Sequence, residues 1–154
     1  MATYYADTSV LVKRHLTETG SAWIRALSRP LAGNLIITAQ MSLVELYSAL
    51  NRRVRENSIN PLRYARIIAV SNRIWSSQYD LIGLTATLVS ETRDLFERHP
   101  LRAYDAVQLA SALHARRLLL AAGATTPIFL SADDRLLVVA QAEGFATDNP
   151  NLHT

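Results

Sequence analysis

Tyr4-Tyr5-Ala6-Asp7-Thr8-Ser9-Val10-Leu11-Val12 is the stretch on which the reading of this chain turns. A short β-prone run ends in a carboxylate and passes at once into a helical pattern. In a parallel α/β fold the carboxyl ends of the strands face the crevice where ligands bind, so an acid placed there is both rigidly held and accessible. An Asp before Thr and Ser also starts many helices, because such side chains cap free backbone N–H groups. Asp7 alone does not separate a cap from a ligand. The surrounding chain has to.

Working outward, Ser9 to Leu16 reads as a short helix with Val10, Leu11 and Val12 toward the core, and a second helix runs from about Ser21 to Leu27. It ends before Arg29-Pro30, since the residue preceding a proline is pushed out of the helical region. Leu35-Ile36-Ile37-Thr38 is an apolar run of strand length and reads as a buried parallel strand. Ala39 to Glu56 carries Leu43, Leu46, Tyr47, Leu50 and Val54 at helical spacing. Asn60-Pro61 opens the next helix, to about Gln78, with Asn60 as cap and proline at the first position. The pair is expected to pack as a hairpin.

Asp80 to Leu84 is the third predicted strand, and Thr85 caps a helix to about Arg98. Arg102 to Ala122 is the longest helical pattern, with Gly123 as its C-terminal stop. Pro127 to Ser131 is a fourth strand, Asp133 to Glu143 a further helix, and Phe145-Ala146-Thr147 a short last strand. This alternation predicts a three-layer α/β/α sandwich with a central parallel sheet, Rossmann-like in outline. One domain over residues 1–148 is expected, followed by a frayed tail at 149–154 that lacks apolar periodicity.

With 154 residues, 49% of them hydrophobic, the chain can close a real core without staples. It has no cysteine, which removes disulfides, thiolate zinc sites and thiol nucleophiles together. No apolar run approaches the ~20 residues that span a bilayer, and the start lacks a signal pattern, so a cytoplasmic protein is expected. The net charge is +3 and Lys13 is the only lysine. A surplus of Arg suits phosphate, because the planar guanidinium offers a bidentate fork.

Four acids share one context: Asp7 after the first strand, Glu45 on the helix after the second, Asp105 in the first turn of the long helix, and Asp133 after the fourth strand. If the strand ends converge, these carboxylates occupy one crevice, and like charges so close are costly without cations. Each acid also has a structural reading. Ser42-Leu43-Val44-Glu45 matches a capping box, and Asp105 suits a helix N-terminus whether or not it binds anything. In Ser131-Ala132-Asp133-Asp134, Asp134 is the better candidate for a capping box and Asp133 the freer carboxylate. Caps do not explain four acids at equivalent junctions. A hard divalent ion, Mg²⁺ or Mn²⁺, does, and an all-oxygen set points away from zinc.

Four pieces in order, Tyr5 to Leu11, Ser42 to Leu46 with Ala49-Leu50, Tyr104 to Ala110, and Phe129 to Asp133, resemble PIN-domain ribonucleases, most of all the VapC toxins of toxin–antitoxin pairs. The resemblance implies metal-dependent endonucleolytic cleavage of RNA by an activated water, leaving a 5′-phosphate and a 3′-hydroxyl. It makes Asp7, Glu45, Asp105 and Asp133 the acidic quartet that holds Mg²⁺ or Mn²⁺, and Ser9 a hydroxyl supporting the site. It also implies a cognate antitoxin and a homodimer.

Lys13 and Arg14 after the first motif, and Arg52 and Arg53 on the second motif's helix, are the candidate RNA contacts; Arg55, Arg63, Arg66 and Arg73 extend the same basic run. Their alternative role is a solvated helix face. The apolar Leu43, Leu46, Tyr47, Ile67, Ile68, Ile74 and Trp75 of the hairpin serve either partner contact or core. Three rival functions stand beside the toxin: a PIN nuclease of RNA processing, an inactive PIN-like binding module, and an aspartyl-nucleophile hydrolase. The last lacks its second Asp after Asp7, and with five Gly in all no phosphate loop is seen.

Overall fold

The computed structural model describes residues 1–153. Five parallel strands, β1 (Thr3–Ala6), β2 (Leu35–Ala39), β3 (Asp80–Ile82), β4 (Ile128–Leu130) and β5 (Thr147–Asp148), lie in the order β3-β2-β1-β4-β5. Seven α-helices connect them: α1 (Thr8–His15), α2 (Ser21–Leu27), α3 (Met41–Arg55), α4 (Pro61–Gln78), α5 (Ala86–Arg98), α6 (Ala103–Ala121) and α7 (Asp134–Ala142). Among the described residues no helix is long and apolar enough to cross a membrane.

The sheet is buried on both faces because its central strands are almost wholly apolar, Thr3 and Thr38 apart, and side chains alternate along them. Tyr4, Ala6, Ile36, Ile128 and Leu130 join the core under α1 to α4, with Val10, Leu46, Leu50 and Trp75. Tyr5, Ile37 and Phe129 join the core under α5 to α7, with Leu95, Leu109 and Leu136. The register places Tyr5 between Ile37 and Phe129, and the Tyr5 and Phe129 rings stack at 5.4 Å. These are the three layers expected from the alternating pattern.

The helix caps follow the local chemistry. Asn60 accepts from Arg63 N with Pro61 in the first turn, and Thr85 accepts from Leu88 N. Two expectations are corrected. The last strand lies at Thr147–Asp148, beyond Phe145, because the Phe145 ring is needed in the core, 5.7 Å from Phe129 and beneath Arg116. The tail does not fray over its described residues: Pro150–Leu152 forms a 3-10 turn, Asn149 and Pro150 are buried, and His153 stacks on Trp23 at 3.9 Å. Single side chains anchor it, which a periodicity argument does not register. Thr154 lies outside the described residues.

Candidate active site

The chain leaves β1 toward β2 and β3 on one side of the sheet, while β4 and β5 lie on the other. The crevice over the carboxyl ends of β1 and β4 is therefore the switch point where open α/β sheets bind ligands. Asp7 follows β1 and Ser131 follows β4; Asp7 N donates to Leu130 O at 3.1 Å and ties the two ends together.

Asp7 is 5% exposed and does two jobs at once. Its Oδ1 caps α1, accepting from Ser9 N at 2.6 Å and Val10 N at 3.3 Å, and takes the Ser9 hydroxyl at 2.6 Å. Its Oδ2 accepts from the Ser131 hydroxyl at 2.6 Å. Ser9 Oγ in turn accepts from Ala132 N at 2.8 Å, and Ser131 Oγ from Asp133 N at 3.0 Å. Burial pushes the Asp7 carboxyl above its ordinary pKa, against the pull of the Ser131 and Ser9 bonds.

Glu45 does not close a capping box. The α3 N-cap, Gln40, makes no side-chain bond, and Ser42 is buried with its hydroxyl 2.9 Å from that of Thr38. Glu45 Oε1 instead accepts from Thr8 Oγ1 at 2.9 Å and from Gln108 Nε2 at 2.8 Å. Gln108 lies three residues beyond Asp105, hence on the same face of α6. It also donates to Ser42 Oγ at 2.8 Å and to Thr8 Oγ1 at 3.1 Å, and accepts from the Tyr5 hydroxyl at 2.8 Å. Burial raises the Glu45 pKa, Asp7 and Asp105 add to it, and the Gln108 and Thr8 bonds oppose it.

Thr8, Gln108 and Ser131 are the positioning groups that the sequence reading did not assign. The signal for Gln108 was present: an amide on an otherwise apolar helix must find partners when buried.

Asp105 is half-buried, and burial followed by the Asp133 charge raises its pKa. Asp133 is held below the ordinary carboxylate range, chiefly by its bond from Arg135, 3.2 Å away in the ion pair. The four acids thus form a line of electrostatic neighbours, Asp7 to Glu45 to Asp105 to Asp133. Among the described residues only Asp133 of the four is in a salt bridge; Asp105 feels the charges of Arg102 and Arg135 without one, and none reaches Asp7 or Glu45. Contrary to expectation, Asp133 rather than Asp134 caps α7, and Asp134 accepts from Asn149 at 2.7 Å. Asp133 is nevertheless the one whose charge acts on Asp105.

Among the described residues no three acid or imidazole side chains stand close enough to hold one ion as a group. The line of carboxylates fits a hard ion held by one or two acids and several waters, the habit of Mg²⁺, better than a closed protein cage.

A cleft of about 510 Å³ opens beside Glu45, which is the one of the four acids on its wall; Asp105 lines a separate pocket with Arg102 and Arg135. Thr8, Ser9 and Glu45 lie on its wall, with Lys13, Arg52, Arg53 and Arg55 around them. Arg14 is not brought there. It donates to the Tyr79 hydroxyl at 2.8 Å and to Gln78, and lies over the Tyr79 ring, so it ties α1 to the end of α4. Arg63, Arg66 and Arg73 stay on the exposed face of α4, away from the cleft wall. The hairpin's Leu46, Ile67, Ile74 and Trp75 are buried in the core of this same chain, with Leu43 and Ile68 packed against them. Those four are core, while Leu43, Tyr47 and Ile68 keep part of their surface exposed.

Solved structures share this fold. The VapBC2 complex of Rickettsia felis bound to a DNA fragment from its promoter contains a chain of 13% identity and TM-score 0.60, the match covering 96% of this chain and 98% of that one. The sarcin-ricin loop cleaving toxin VapC20 of Mycobacterium tuberculosis matches at 19% identity and TM-score 0.60, over 93% and 96% of the two chains. A toxin-antitoxin complex from Klebsiella pneumoniae matches at 14% identity and TM-score 0.59, over 96% and 97%. No curated protein matches the chain. Residues 4–142 match the PIN domain, which is most of the sequence. With the parallel sheet, the switch-point crevice and the ordered acids already in place, the chain belongs to the PIN domain family.

Proposed function

We propose that this protein is a Mg²⁺- or Mn²⁺-dependent endoribonuclease and the toxin member of a toxin–antitoxin pair. The observation that carries the reading is the set of four carboxylates that act on one another near the switch point, three of them in no salt bridge, with Glu45 on the wall of an arginine-lined cleft. Uncompensated buried acids cost stability unless a cation belongs among them. A bound divalent ion supplies an activated water and stabilises charge on the phosphoryl oxygens.

The chain's own residues set the geometry. Asp7, Glu45 and Asp105 would hold the ion, directly or through water, and Asp133 would complete the set. Ser9 and Ser131 fix the two oxygens of Asp7, while Thr8 and Gln108 fix Glu45. Arg52, Arg53, Arg55 and Lys13 give the cleft the positive charge that draws an RNA backbone toward these acids. Single-stranded or looped RNA suits such a site, because a flexible backbone can bend into it. The VapBC2 and Klebsiella complexes support a cognate antitoxin as partner, and the VapC20 toxin supports RNA as substrate. A homodimer is part of the same proposal.

The test is incubation of the purified protein with total RNA in Mg²⁺, in Mn²⁺ and in EDTA, beside Asp7→Asn. Cleavage that needs the metal and is lost in the variant supports the mechanism. Cleavage in EDTA, or full activity of Asp7→Asn, refutes it. Size-exclusion chromatography checks the dimer, and a monomer at micromolar concentration counts against it.

A further inference from the structure

One acid in the cleft belongs to none of these roles. Glu18 sits in the loop between α1 and α2, and its carboxylate bridges cations from two helices. Lys13 Nζ of α1 is 3.4 Å from Oε2, and Arg53 of α3 donates to Oε1. Lys13 is the only lysine, and its side chain is 8% exposed. Its second partner is Thr19 O at 3.0 Å. Lys13, Glu18 and Arg53 all line the same cleft as Glu45 and Ser9.

The loop backbone beneath Glu18 is fixed. Glu18 N donates to Ser21 Oγ at 2.8 Å, that hydroxyl donates to Leu16 O at 2.7 Å, and Gly20 is packed against Pro150. The Glu18 side chain has no such restraint beyond the two cations. It can swing away by rotation of its own torsions while Lys13 and Arg53 stay in place.

A carboxylate accepting from an ammonium and a guanidinium presents two oxygens much as a phosphodiester presents its two non-bridging oxygens, and Arg recognises both in the same way. We propose that Lys13 and Arg53 form a backbone-phosphate subsite for RNA beside the acidic centre, occupied in the free protein by Glu18, which the incoming phosphate displaces. The inference rests on the nuclease reading, and it adds that Glu18 opposes binding. With Glu18 in place the three groups carry a net charge of +1; without its charge they carry +2. Removing that charge strengthens RNA binding, because the phosphate no longer has to displace a carboxylate from the two cations. Removing Arg53 instead weakens the contact to that phosphate, and the slope of log K against log salt falls by up to about 0.7 for a single-stranded ligand.

The test uses the full chain in EDTA, with a fluorescently labelled single-stranded RNA and anisotropy at several salt concentrations. Wild type, Glu18→Gln, Arg53→Met, their double variant and Arg52→Ala are compared, with labelled polyglutamate as a second probe and thermal unfolding recorded for each. Glu18→Gln is expected to bind roughly three- to tenfold more tightly, with the salt slope of wild type. Arg53→Met is expected to bind several-fold more weakly, and the double variant to lose the gain. Glu18→Gln binding no more tightly than wild type, while Arg52→Ala still weakens binding, overturns the subsite and leaves the nuclease reading standing. RNA binding by none of the proteins overturns both. Equal strengthening toward a polyglutamate probe overturns the assignment to RNA. Should Glu18→Gln unfold, Arg53→Met decides: unchanged RNA affinity there overturns the proposal.

Discussion

Asp7→Asn separates the acid's structural work from its proposed chemical work. The side chain accepts four hydrogen bonds, three on Oδ1 and one on Oδ2. The amide that replaces it keeps a carbonyl oxygen for the α1 cap and turns its NH₂ toward Ser131, whose hydroxyl can accept instead of donate. Bonds to a charged acceptor are worth about 1.5–3 kcal/mol and neutral ones about 0.5–1.5, so neutralising Asp7 weakens the set by a few kcal/mol at most. The desolvation cost of the carboxylate is removed at the same time. Since burial outweighs the bonds and leaves the carboxyl pKa raised, relief of desolvation is the larger effect at neutral pH.

Asp7→Asn should therefore unfold, without metal, within about 1 kcal/mol of wild type or slightly above it. Asp7→Ala should lose about 2–4 kcal/mol through the missing cap and stranded donors. The assay is thermal unfolding with and without Mg²⁺ or Mn²⁺. At a metal concentration a hundred times Kd, binding to the native state adds about 2.7 kcal/mol, or roughly 5–11 °C for a domain of this size. Wild type should show that shift and Asp7→Asn should not. A metal-dependent shift retained in Asp7→Asn, or a loss above about 2 kcal/mol in its metal-free stability, refutes the division of roles.

Three further predictions follow from the same contacts. Asp7, Glu45 and Asp105 have raised carboxyl pKa values, so the stability they confer is complete below the ordinary value of about 4 and is lost as pH rises through the raised ones. Urea unfolding of the metal-free protein should accordingly show a smaller loss between acid and neutral pH in Asp7→Asn than in wild type, and identical pH profiles would contradict this. Gln108→Leu strands the Tyr5 hydroxyl and leaves Glu45 held by Thr8 alone, and should cost about 2–4 kcal/mol in urea unfolding. Gly20→Ala places a methyl 2.1 Å from Pro150 O at a φ of +80°, and should lose at least about 2 kcal/mol with a change in Trp23 fluorescence as the tail lifts; unchanged emission would mean that the tail is not anchored there.

The sequence by itself determined the elements and their order. Helical periodicity, Pro61 in a first turn, Asn60 and Thr85 as caps and the apolar runs at Leu35 and Ile128 are local signals, so they survive without knowledge of the fold. It also placed Asp7, Glu45, Asp105 and Asp133 at the junctions where a site would form. Tertiary structure alone decided what those acids do. Ser42 and Glu45 fit a capping box on paper, yet the approach of Thr8 and Gln108 from α1 and α6 draws Glu45 inward. Asp133 and Asp134 are equivalent in one dimension, and only the docking of Asn149 assigns Asp134 elsewhere. Arg14 and Arg53 look alike on a helix face, but one meets Tyr79 and the other meets Glu18 in the cleft. The tail looked loose because its anchors are single side chains. Asp7 is the case in which one reading does not displace the other: its Oδ1 caps α1 and its Oδ2 takes the Ser131 hydroxyl, while the metal role proposed for it is what Asp7→Asn tests.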